Sequence, residues 1–339
     1  MLCIVPPHLL REIINRGDPG MKKWAINTIA LSEHVRMQRQ TFVSYNVMSV
    51  LHQKERRIYD AKNKTDLPGV LVRTEGDLAT RDPAVNEAYD GAGWTYDLYK
   101  DVYGRNSVDD KGMMLDSSVH YSEKYDNAFW NGVQMVYGDG DGKIFNRFTK
   151  AIDVIGHELT HGVTQYTAKL AYQDQSGALN EHISDVFGSI VKQYSLKQNA
   201  KQADWLIGQG LFTPKINGVA LRSMKAPGTA YDDPLIGKDP QPGNMQDYND
   251  TAEDNGGVHI NSGIPNRAFY LIATDIGGYS WDKAGKIWYK TLDLLNANSD
   301  FEDMAACTLE AAETLFGNQS AEQESVRKGW DGVGISVKK

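Results

Sequence analysis

The run from Asp153 to His161 constrains this 339-residue chain more than any other stretch, because it contains the pattern H-E-x-x-H. On a helix of about 3.6 residues per turn, His157 and His161 project from one face, so two neutral imidazoles can bind a single zinc ion. Glu158 lies between them, where a carboxylate can polarise a water molecule without binding the metal. Gly156 leaves room for a neighbouring element to approach. The pattern predicts a zinc-dependent hydrolytic centre on a buried helix.

Composition excludes several classes of protein. The hydrophobic content of 41% and the charged content of 24% are typical of a soluble globular chain. A net charge of −8 argues against nucleic acid or an anionic membrane as the main partner. No run approaches the roughly 18 apolar residues that span a bilayer, and the two cysteines, Cys3 and Cys307, are too few for a disulfide framework. No signal peptide is evident, so we expect synthesis in the cytoplasm, with release by another route left open, and a monomer.

The order of sequence patterns predicts a two-lobed α+β fold. Residues 1–50 read as two helices that form a small N-terminal propeptide, and residues 50–64 as a basic linker or processing region. Residues 65–168 mix short strands and turns and end in the zinc-binding helix. Residues 169–339 are mainly helical. We therefore expect a β-rich lobe and a helical lobe with a cleft between them.

A second set of polar residues follows the zinc-binding helix. Glu181 lies 20 residues beyond His161, which leaves room for a turn and a return on a second helix. Zinc needs a third protein ligand, and Glu181 supplies one. Asp185, one turn further on the same face, is placed to accept the second ring N–H of a ligand histidine. The other histidines lack such surroundings and are interpreted as surface or satisfied core residues: His8, His34, His52, His120 and His182.

Several long motifs occur in one order between about residues 85 and 335. They are Asn127–Trp130, the H-E-x-x-H helix, Asn180–Asp185, Leu221–Met224 and Asp254–Pro265. With these motifs the chain resembles the thermolysin-like zinc metallopeptidases. The short N-terminal region, which begins with Pro6-Pro7-His8-Leu9-Leu10, resembles the protealysin-like subgroup. The resemblance implies a thermolysin-like fold and a neutral endopeptidase made as a propeptide-inhibited precursor.

The resemblance also implies a role for each residue of the catalytic centre. One catalytic Zn²⁺ would have three ligands: His157, His161 and Glu181. Glu158 would be the general base that takes a proton from the attacking water and passes it to the leaving amine. His259 and Tyr172 would face the developing oxyanion, and Asp254 would hold His259 in its donor form.

Substrate binding follows from the same resemblance. Asn127 and the backbone of Ala128 would align the substrate chain, and Arg222 would bind a substrate carbonyl. The pocket for the residue after the scissile bond would be lined by apolar side chains: Phe145, Phe148, Val154, Ile207 and Leu221. Cleavage before bulky hydrophobic residues is the expected preference, since burying such a side chain contributes about 1.5–3 kcal/mol.

The chain departs from the family pattern at the paired calcium site. Asp153 and Asp204 remain, but other residues stand where the family has carboxylates: Lys192, Leu206 and Gln209, with Val219 at a further calcium position. A calcium ion held by six to eight oxygens does not tolerate a lysine and a leucine in its shell. We expect no calcium at the paired site, and Lys192 is placed to put a positive charge near Asp153.

The N-terminal segment is expected to act as an inhibitory lid. Pro6, Pro7 and Leu9 would lie in the primed side of the cleft, opposite Asn127 and the apolar pocket. A purely structural helical cap is the alternative. Cys3, three residues before Pro6, leaves open a thiolate ligand at the fourth zinc position.

Two other functions compete with the endopeptidase. A catalytically inactive zinc-fold protein that captures peptides is disfavoured because Glu158, His259, Tyr172 and Asp254 are all present. An aminopeptidase is disfavoured because the sequence shows no evident acidic anchor for a free amine. N-blocked peptides compared with free peptides would separate the aminopeptidase from the endopeptidase.

Overall fold

Two helices form the N-terminal part of the computed structural model, which describes residues 3–42 and 53–336. Helix α1 spans Pro7–Arg16, and α2 spans Pro19–Phe42. Proline suits the first turn of a helix, where its missing N–H leaves no bond unmade. Leu9 and Leu10 of α1 are buried. Both helices were expected, whereas the propeptide boundary predicted near residue 50 lies outside the described residues.

A five-stranded mixed sheet builds the first lobe. Its strands are β1 (Arg56–Asp60), β2 (Val70–Thr74), β3 (Leu115–Val119), β4 (Ala128–Trp130) and β5 (Met135–Tyr137). Their order is β2-β1-β3-β5-β4, with β1, β3 and β5 parallel and the two outer strands antiparallel to their neighbours. The short strand β4 therefore lies at one edge of the sheet. An edge strand presents unpaired backbone groups that can bind an extended peptide.

Strand β1 corrects the predicted linker at residues 50–64. Arg56–Asp60 lies inside the sheet between β2 and β3, and Ile58 is fully buried. The basic residues of this segment are paired with carboxylates. Arg56 contacts Glu75, and Arg57 donates to Asp116 at 2.6 Å. Residues 56–60 of the segment interpreted as a basic linker or processing region are therefore a strand, and its arginines are neutralised by distant carboxylates, which composition alone does not show.

Three helices share the core with the sheet strands. They are α3 (Pro83–Asp97), which continues as a π-helical turn (Leu98–Val102), and two helices that carry functional residues, α4 (Ile152–Tyr166) and α5 (Asp174–Leu196). Helices α4 and α5 touch through glycines. A Cβ atom on Gly156 would lie 3.0 Å from the Cβ of Val191, and one on Gly188 would lie 2.4 Å from the carbonyl oxygen of Asp153. The close approach predicted from Gly156 is confirmed, and it brings Glu181 next to the two histidines.

The second lobe is mainly helical. Its helices are α6 (Asp254–Asn261), α7 (Gly263–Ile276), α8 (Lys283–Thr291), α9 (Phe301–Phe316) and α10 (Ala321–Asp331). Two strand pairs were not predicted: β6 (Leu206–Ile207) with β7 (Arg222–Ser223), and β8 (Asp232–Asp233) with β9 (Gly237–Lys238). Short 3₁₀ turns occur at Phe148–Lys150 and Met245–Asp247. The two-lobed α+β expectation is confirmed. Among the described residues, none of the helices is both long and apolar enough to span a membrane.

Candidate active site

Three side chains from α4 and α5 form a metal-binding group. The Nε2 atoms of His157 and His161 lie 3.0 Å apart, and they lie 3.4 and 3.5 Å from the carboxylate oxygens of Glu181. All three residues are fully buried. Donors bound tetrahedrally at the usual zinc distances of about 2.0–2.2 Å are about 3.4 Å apart, so these residues fit a zinc ion. In the described part of the chain, these residues form a metal-binding group and Cys3 is not a member of it.

The second nitrogen of each histidine ring is also bound. His157 Nδ1 donates to Asp185 at 2.8 Å, as the sequence analysis expected of that carboxylate. His161 Nδ1 lies 2.8 Å from the Asn180 side-chain oxygen and 2.9 Å from Ser184 Oγ. These contacts fix both rings with Nε2 turned towards the metal position. Asn180 and Ser184 occur in the motif that carried the resemblance, but no role for them was predicted.

A chain of hydrogen bonds supports Asp185 from behind. Trp288 Nε1 donates to His182 Nε2, His182 Nδ1 donates to Asn266, and the Asn266 amide donates to Asp185, each at 2.8 Å. Burial lowers the pKa of His182 to about 4, so its ring is neutral and serves both bonds. His182 is therefore a satisfied core histidine, but one that helps to hold the metal centre. Its partners, Asn266 and Trp288, lie 84 and 106 residues away in the sequence, so the sequence alone did not predict this hydrogen-bond chain.

Three other histidines lie away from the metal-binding group in the sequence: His34, His52 and His120. His120 bridges two carboxylates, with Nδ1 2.8 Å from Asp139 and Nε2 2.8 Å from Asp82. The hydrogen bond that His120 donates to Asp139 raises the pKa of His120 to about 9, outweighing partial burial. His120 is thus a satisfied, partly exposed histidine, in keeping with its interpretation, but its two carboxylate partners were not predicted because they lie 19 and 38 residues away in the sequence. His34 is exposed, and His52 lies outside the described residues.

Glu158 points towards the edge strand of the sheet. Its Oε2 atom accepts a hydrogen bond from the backbone N–H of Trp130 at 2.9 Å, and the residue is fully buried. The preceding residue on α4 is the metal-binding His157. The carboxylate thus lies between the metal-binding group and β4 without belonging to the group, and the Trp130 N–H fixes its orientation.

On the other side of the metal group stand His259 and Tyr172. His259 Nδ1 donates to Asp254 at 2.9 Å, and the Tyr172 hydroxyl lies 3.3 Å from His259 Nε2 and donates to Glu181. Burial alone would lower the pKa of His259, but the carboxylates of Asp254 and Glu181 outweigh it and raise the pKa. Asn255–Gly257 adopt left-handed backbone angles, which turn Asp254 back towards the ring. Resemblance alone had placed Asp254 beside His259, and this turn is the local structure that brings the two side chains together.

The cleft beside β4 contains a segment of the chain itself. Ile4 N donates to the carbonyl oxygen of Ala128 at 3.3 Å, and Val5 N donates to the Asn127 side chain at 3.0 Å. Arg222 Nη1 donates to the carbonyl oxygen of Ile4 at 3.0 Å, and its other nitrogens bind Asp185 at 2.8 Å. Asn127, Ala128 and Arg222 thus all contact one extended segment.

The segment that Asn127 and Arg222 bind differs from the predicted one. Residues Ile4 and Val5 form these hydrogen bonds, rather than Pro6, Pro7 and Leu9. The physical reason is that proline has no N–H to donate to Asn127 or Ala128, so the paired residues must precede the prolines. Pro7 lines the adjoining cavity of about 380 Å³ together with Asn127, and Leu9 is buried in the apolar core.

The predicted specificity pocket is apolar and closed to solvent. Its members are all at most 1% exposed: Phe145, Phe148, Val154, Ile207 and Leu221. Ile4 is fully buried in the same apolar cluster. The rings of Phe145 and Phe148 lie 5.6 Å apart. The pocket residues and the aliphatic side chain of Ile4, from the N-terminal segment, thus belong to one buried apolar cluster.

Cys3 presents its backbone, not its sulfur, to the centre. Its carbonyl oxygen accepts from His259 Nε2 at 3.0 Å. The side chain is buried in a separate apolar cluster with Tyr121, Tyr125, Phe129 and Val136. The alternative in which the Cys3 thiolate binds zinc is therefore not the arrangement that the structure shows.

Lys192 occupies the centre of the position matching the family's paired calcium site. Its Nζ atom lies 2.8 Å from Asp204 and 3.4 Å from Asp153. The carbonyl oxygen of Leu206 and the amide oxygen of Gln209 lie 3.4 Å from the same atom. Burial lowers the pKa of Lys192, but the two aspartates outweigh it and raise the pKa, so the side chain stays charged. Val219, at the other calcium position, is exposed.

Comparison with known proteins identifies the class to which this site belongs. Residues 28–165 match the family described as "Thermolysin metallopeptidase, catalytic domain", and residues 168–335 match its "alpha-helical domain". The chain therefore belongs to the thermolysin family of metallopeptidases, whose members depend on zinc, and is a metalloendopeptidase.

Individual relatives define the subgroup. The solved precursor of protealysin, a metalloproteinase from Serratia proteamaculans, is 53% identical with a TM-score of 0.91, covering 99% of this chain and 100% of that one. An extracellular metalloprotease of Pectobacterium carotovorum is 51% identical over 99% of this chain and 96% of its own length. The neutral protease NprT of Geobacillus stearothermophilus is 45% identical over 82% of this chain and 50% of its own. This chain is thus protealysin-like, a precursor whose N-terminal helices form a propeptide.

Proposed function

We propose that the mature enzyme is a zinc-dependent neutral endopeptidase that cleaves before bulky hydrophobic residues, using Glu158 as the general base. One observation carries the proposal. The extended segment Cys3–Val5 passes between the metal-binding group and β4, with its carbonyl oxygens on His259 and Arg222. A peptide substrate bound in the same way would present its backbone to each predicted catalytic group at once.

The protein's residues divide the chemistry among them. Zinc bound by His157, His161 and Glu181 would supply a Lewis acid that polarises the substrate carbonyl and lowers the pKa of a water molecule. Glu158, held by the N–H of Trp130, accepts a proton from that water and delivers it to the leaving nitrogen. This carboxylate can both accept the proton and deliver it because its side chain faces the cleft, where it is held by the edge strand.

The opposite wall of the cleft stabilises negative charge. The Asp254 and Cys3 contacts occupy both nitrogens of His259, so a doubly protonated ring satisfies both acceptors. In that form Nε2 donates to the carbonyl oxygen as charge develops on it. The Tyr172 hydroxyl, which lies beside His259, would add a second donor by turning from Glu181 to the developing oxyanion. Preorganised donors of this kind each contribute about 3 kcal/mol to transition-state stabilisation.

Binding and specificity come from the edge strand and the apolar pocket. Asn127 and Ala128 pair with the substrate backbone, and Arg222 binds the carbonyl that follows the scissile bond. The pocket of Phe145, Phe148, Val154, Ile207 and Leu221 would receive the side chain after that bond. Aliphatic and aromatic residues fit it, since the pocket buries them without leaving a polar group unpaired.

The propeptide, about residues 1–50, inhibits the precursor by filling this cleft. Pro6 and Pro7 link the cleft segment to α1, which carries His8 against the hydroxyl of Tyr231 at 3.0 Å. Helix α2 adds Thr28, which accepts from the N–H of Asp126 at 3.2 Å next to Asn127. A tethered segment needs only modest affinity, because tethering gives an effective concentration in the millimolar range. The name of the Pectobacterium relative supports action of the mature enzyme outside the cell.

Replacing Glu158 with alanine tests the proposed mechanism. Mature Glu158→Ala enzyme, obtained by adding a trace of wild-type enzyme to the precursor, should retain zinc, because this carboxylate is not a ligand. Its rate on an N-blocked peptide should fall by at least roughly 10²–10⁴-fold. The matched control is Glu181→Ala, which should lose both zinc and activity. If Glu158→Ala keeps more than a few per cent of the wild-type rate, Glu158 is not the general base. If the wild-type enzyme hydrolyses only peptides with a free N-terminus, the result favours an aminopeptidase instead.

A further inference from the structure

The N-terminal segment is bound as an additional strand of the sheet. Cys3 forms an antiparallel bridge with Phe129 of β4, and Ile4 N donates to the Ala128 carbonyl oxygen. Such strand addition fixes a peptide through its backbone and leaves alternate side chains to fill pockets. The segment is thus held in extended form, which is the conformation a peptidase needs in its substrate.

The register places one peptide bond at the reaction centre. The carbonyl oxygen of Cys3 is 3.0 Å from His259 Nε2, the donor assigned above to the reacting carbonyl. The next carbonyl, that of Ile4, is 3.0 Å from Arg222. Ile4 is fully buried in the apolar cluster that includes the specificity pocket. The two hydrogen bonds and the burial of Ile4 among apolar side chains agree in making Cys3–Ile4 the bond that a substrate would have broken.

The residues that follow Val5 prevent the segment from shifting along β4, so that no later peptide bond reaches the reaction centre. A shift by two residues would place Pro6 where Ile4 donates to Ala128, and proline has no N–H. Helix α1 begins at Pro7 and buries Leu9 and Leu10, so the chain beyond Val5 cannot slide along β4 without moving these side chains.

We propose that the precursor hydrolyses its own Cys3–Ile4 bond as an early, separate processing step. The proposal rests on the endopeptidase function proposed above. A water molecule adds its oxygen to the Cys3 carbonyl carbon, and the bond from that carbon to the Ile4 nitrogen breaks. The proton taken up by Glu158 goes to the leaving nitrogen. The products are the tripeptide of the first three residues, ending in a carboxylate, and a chain that begins with the free amine of Ile4.

The shortened propeptide should remain an inhibitor. Asn127 still accepts from Val5, Arg222 still binds the Ile4 carbonyl, and α1 is untouched by the cut. The new N-terminus is the leaving-group half of a substrate, so it occupies the cleft as a product does. Processing at Cys3 therefore precedes and does not cause activation, which requires removal of the whole propeptide.

Intact mass spectrometry of the purified full-length precursor tests this step. We expect the wild type to lose its first three residues before any cleavage near residue 50, and Glu158→Ala to stay whole. Ile4→Asp, which puts a carboxylate into the apolar cluster that buries Ile4, should slow the loss at least ~10-fold. The matched control is Ile26→Asp, a change at an isoleucine of α2 that is 53% exposed, and it should process at the wild-type rate.

A binding measurement provides a readout independent of turnover and of variant folding. The synthetic peptide Ile-Val-Pro-Pro-His-Leu-Leu, residues 4–10, should bind mature wild-type enzyme in calorimetry at least ~10-fold more tightly than the same peptide with Asp first.

Three outcomes would overturn the proposal: no loss of the three residues, equal loss in Glu158→Ala, or equal binding of the two peptides. An N-blocked test peptide is assayed in parallel on mature enzyme. If that peptide is cleaved while Cys3–Ile4 stays intact, only the processing step fails. If neither is cleaved, the proposed function fails as well.

Discussion

The metal centre and the propeptide contact share one cleft but are held together differently. At the metal centre His157, His161 and Glu181 are fully buried, and each histidine ring has a second hydrogen-bond partner. The propeptide also makes polar contacts near solvent, outside the buried part of the cleft. In the ion pair between Arg11 and Glu253 the side chains are 47% and 70% exposed.

This difference separates a permanent structure from a removable one. Exposed ion pairs contribute about 0–1 kcal/mol each, whereas removing one partner of a buried pair costs about 3–5 kcal/mol. The catalytic part can thus keep its geometry when the propeptide leaves. Arg222 belongs to both regions, since it binds Asp185 behind the metal centre and Ile4 in the cleft.

Arg222→Ala should therefore have the largest effect and disturb both regions. Although burial would raise the pKa of Asp185, Arg222 and His157 hold it well below its usual range, so the carboxylate is charged and needs a partner. Its loss should lower the free energy of unfolding by about 3–5 kcal/mol. Urea unfolding of the precursor measures this.

The control for Arg222 is Arg16→Ala. Arg16 lies on the propeptide and donates to the carbonyl oxygen of Pro234 at the surface. Its removal should change the unfolding free energy of the catalytic part by less than about 0.5 kcal/mol. If the two variants unfold alike, Arg222 does not connect the two regions.

Lowering the pH should weaken the propeptide contact while leaving the rest of the fold intact. Burial in the cleft lowers the pKa of His8 from 6.5 to about 4, with Asp254 opposing and His259, Arg222 and Arg11 reinforcing the shift. The released propeptide regains the higher pKa, so docking is strongest above pH 6.5 and is lost as the pH falls towards 4. The loss is at most about 3 kcal/mol.

Hydrogen exchange of the Glu158→Ala precursor at pH 7 and pH 5 measures this loss. After correction for intrinsic exchange rates, amides of α1 (Pro7–Arg16) should lose protection at pH 5, while those of α5 should not. His8→Gln, which can still bond to Tyr231 but does not titrate, should show a smaller change. An identical pH response in both proteins would assign the effect to other groups.

A smaller effect is expected at Lys192. A calcium chelator that spares zinc should leave the melting temperature nearly unchanged, because an ammonium group already neutralises Asp153 and Asp204. Lys192→Met should cost about 1–3 kcal/mol, since Asp153 is buried and Asp204 partly exposed. Melting curves with and without chelator test both statements. A drop of many degrees in the wild type would show that a calcium site exists.

The features predicted from sequence are those encoded locally. The spacing of His157 and His161 predicts a shared face because helix geometry is fixed, and Glu181 follows one helix later. The register of Cys3–Val5 was missed because it pairs residues more than 120 positions apart. The same holds for His182, whose role depends on Asn266 and Trp288. Strand β1 was misread since its charges are neutralised only by distant carboxylates.

The most direct test of the whole account compares one sample before and after removal of the propeptide. An N-blocked peptide with leucine after the scissile bond is the substrate, and a zinc chelator is the control. With an effective concentration of about 1 mM and an intrinsic Kd of about 10 μM, roughly one precursor in a hundred has an open cleft. The rate should therefore rise about 100-fold on removal and vanish with the chelator. Equal rates before and after, or activity that survives zinc removal, would contradict a zinc endopeptidase held latent by its own N-terminal segment.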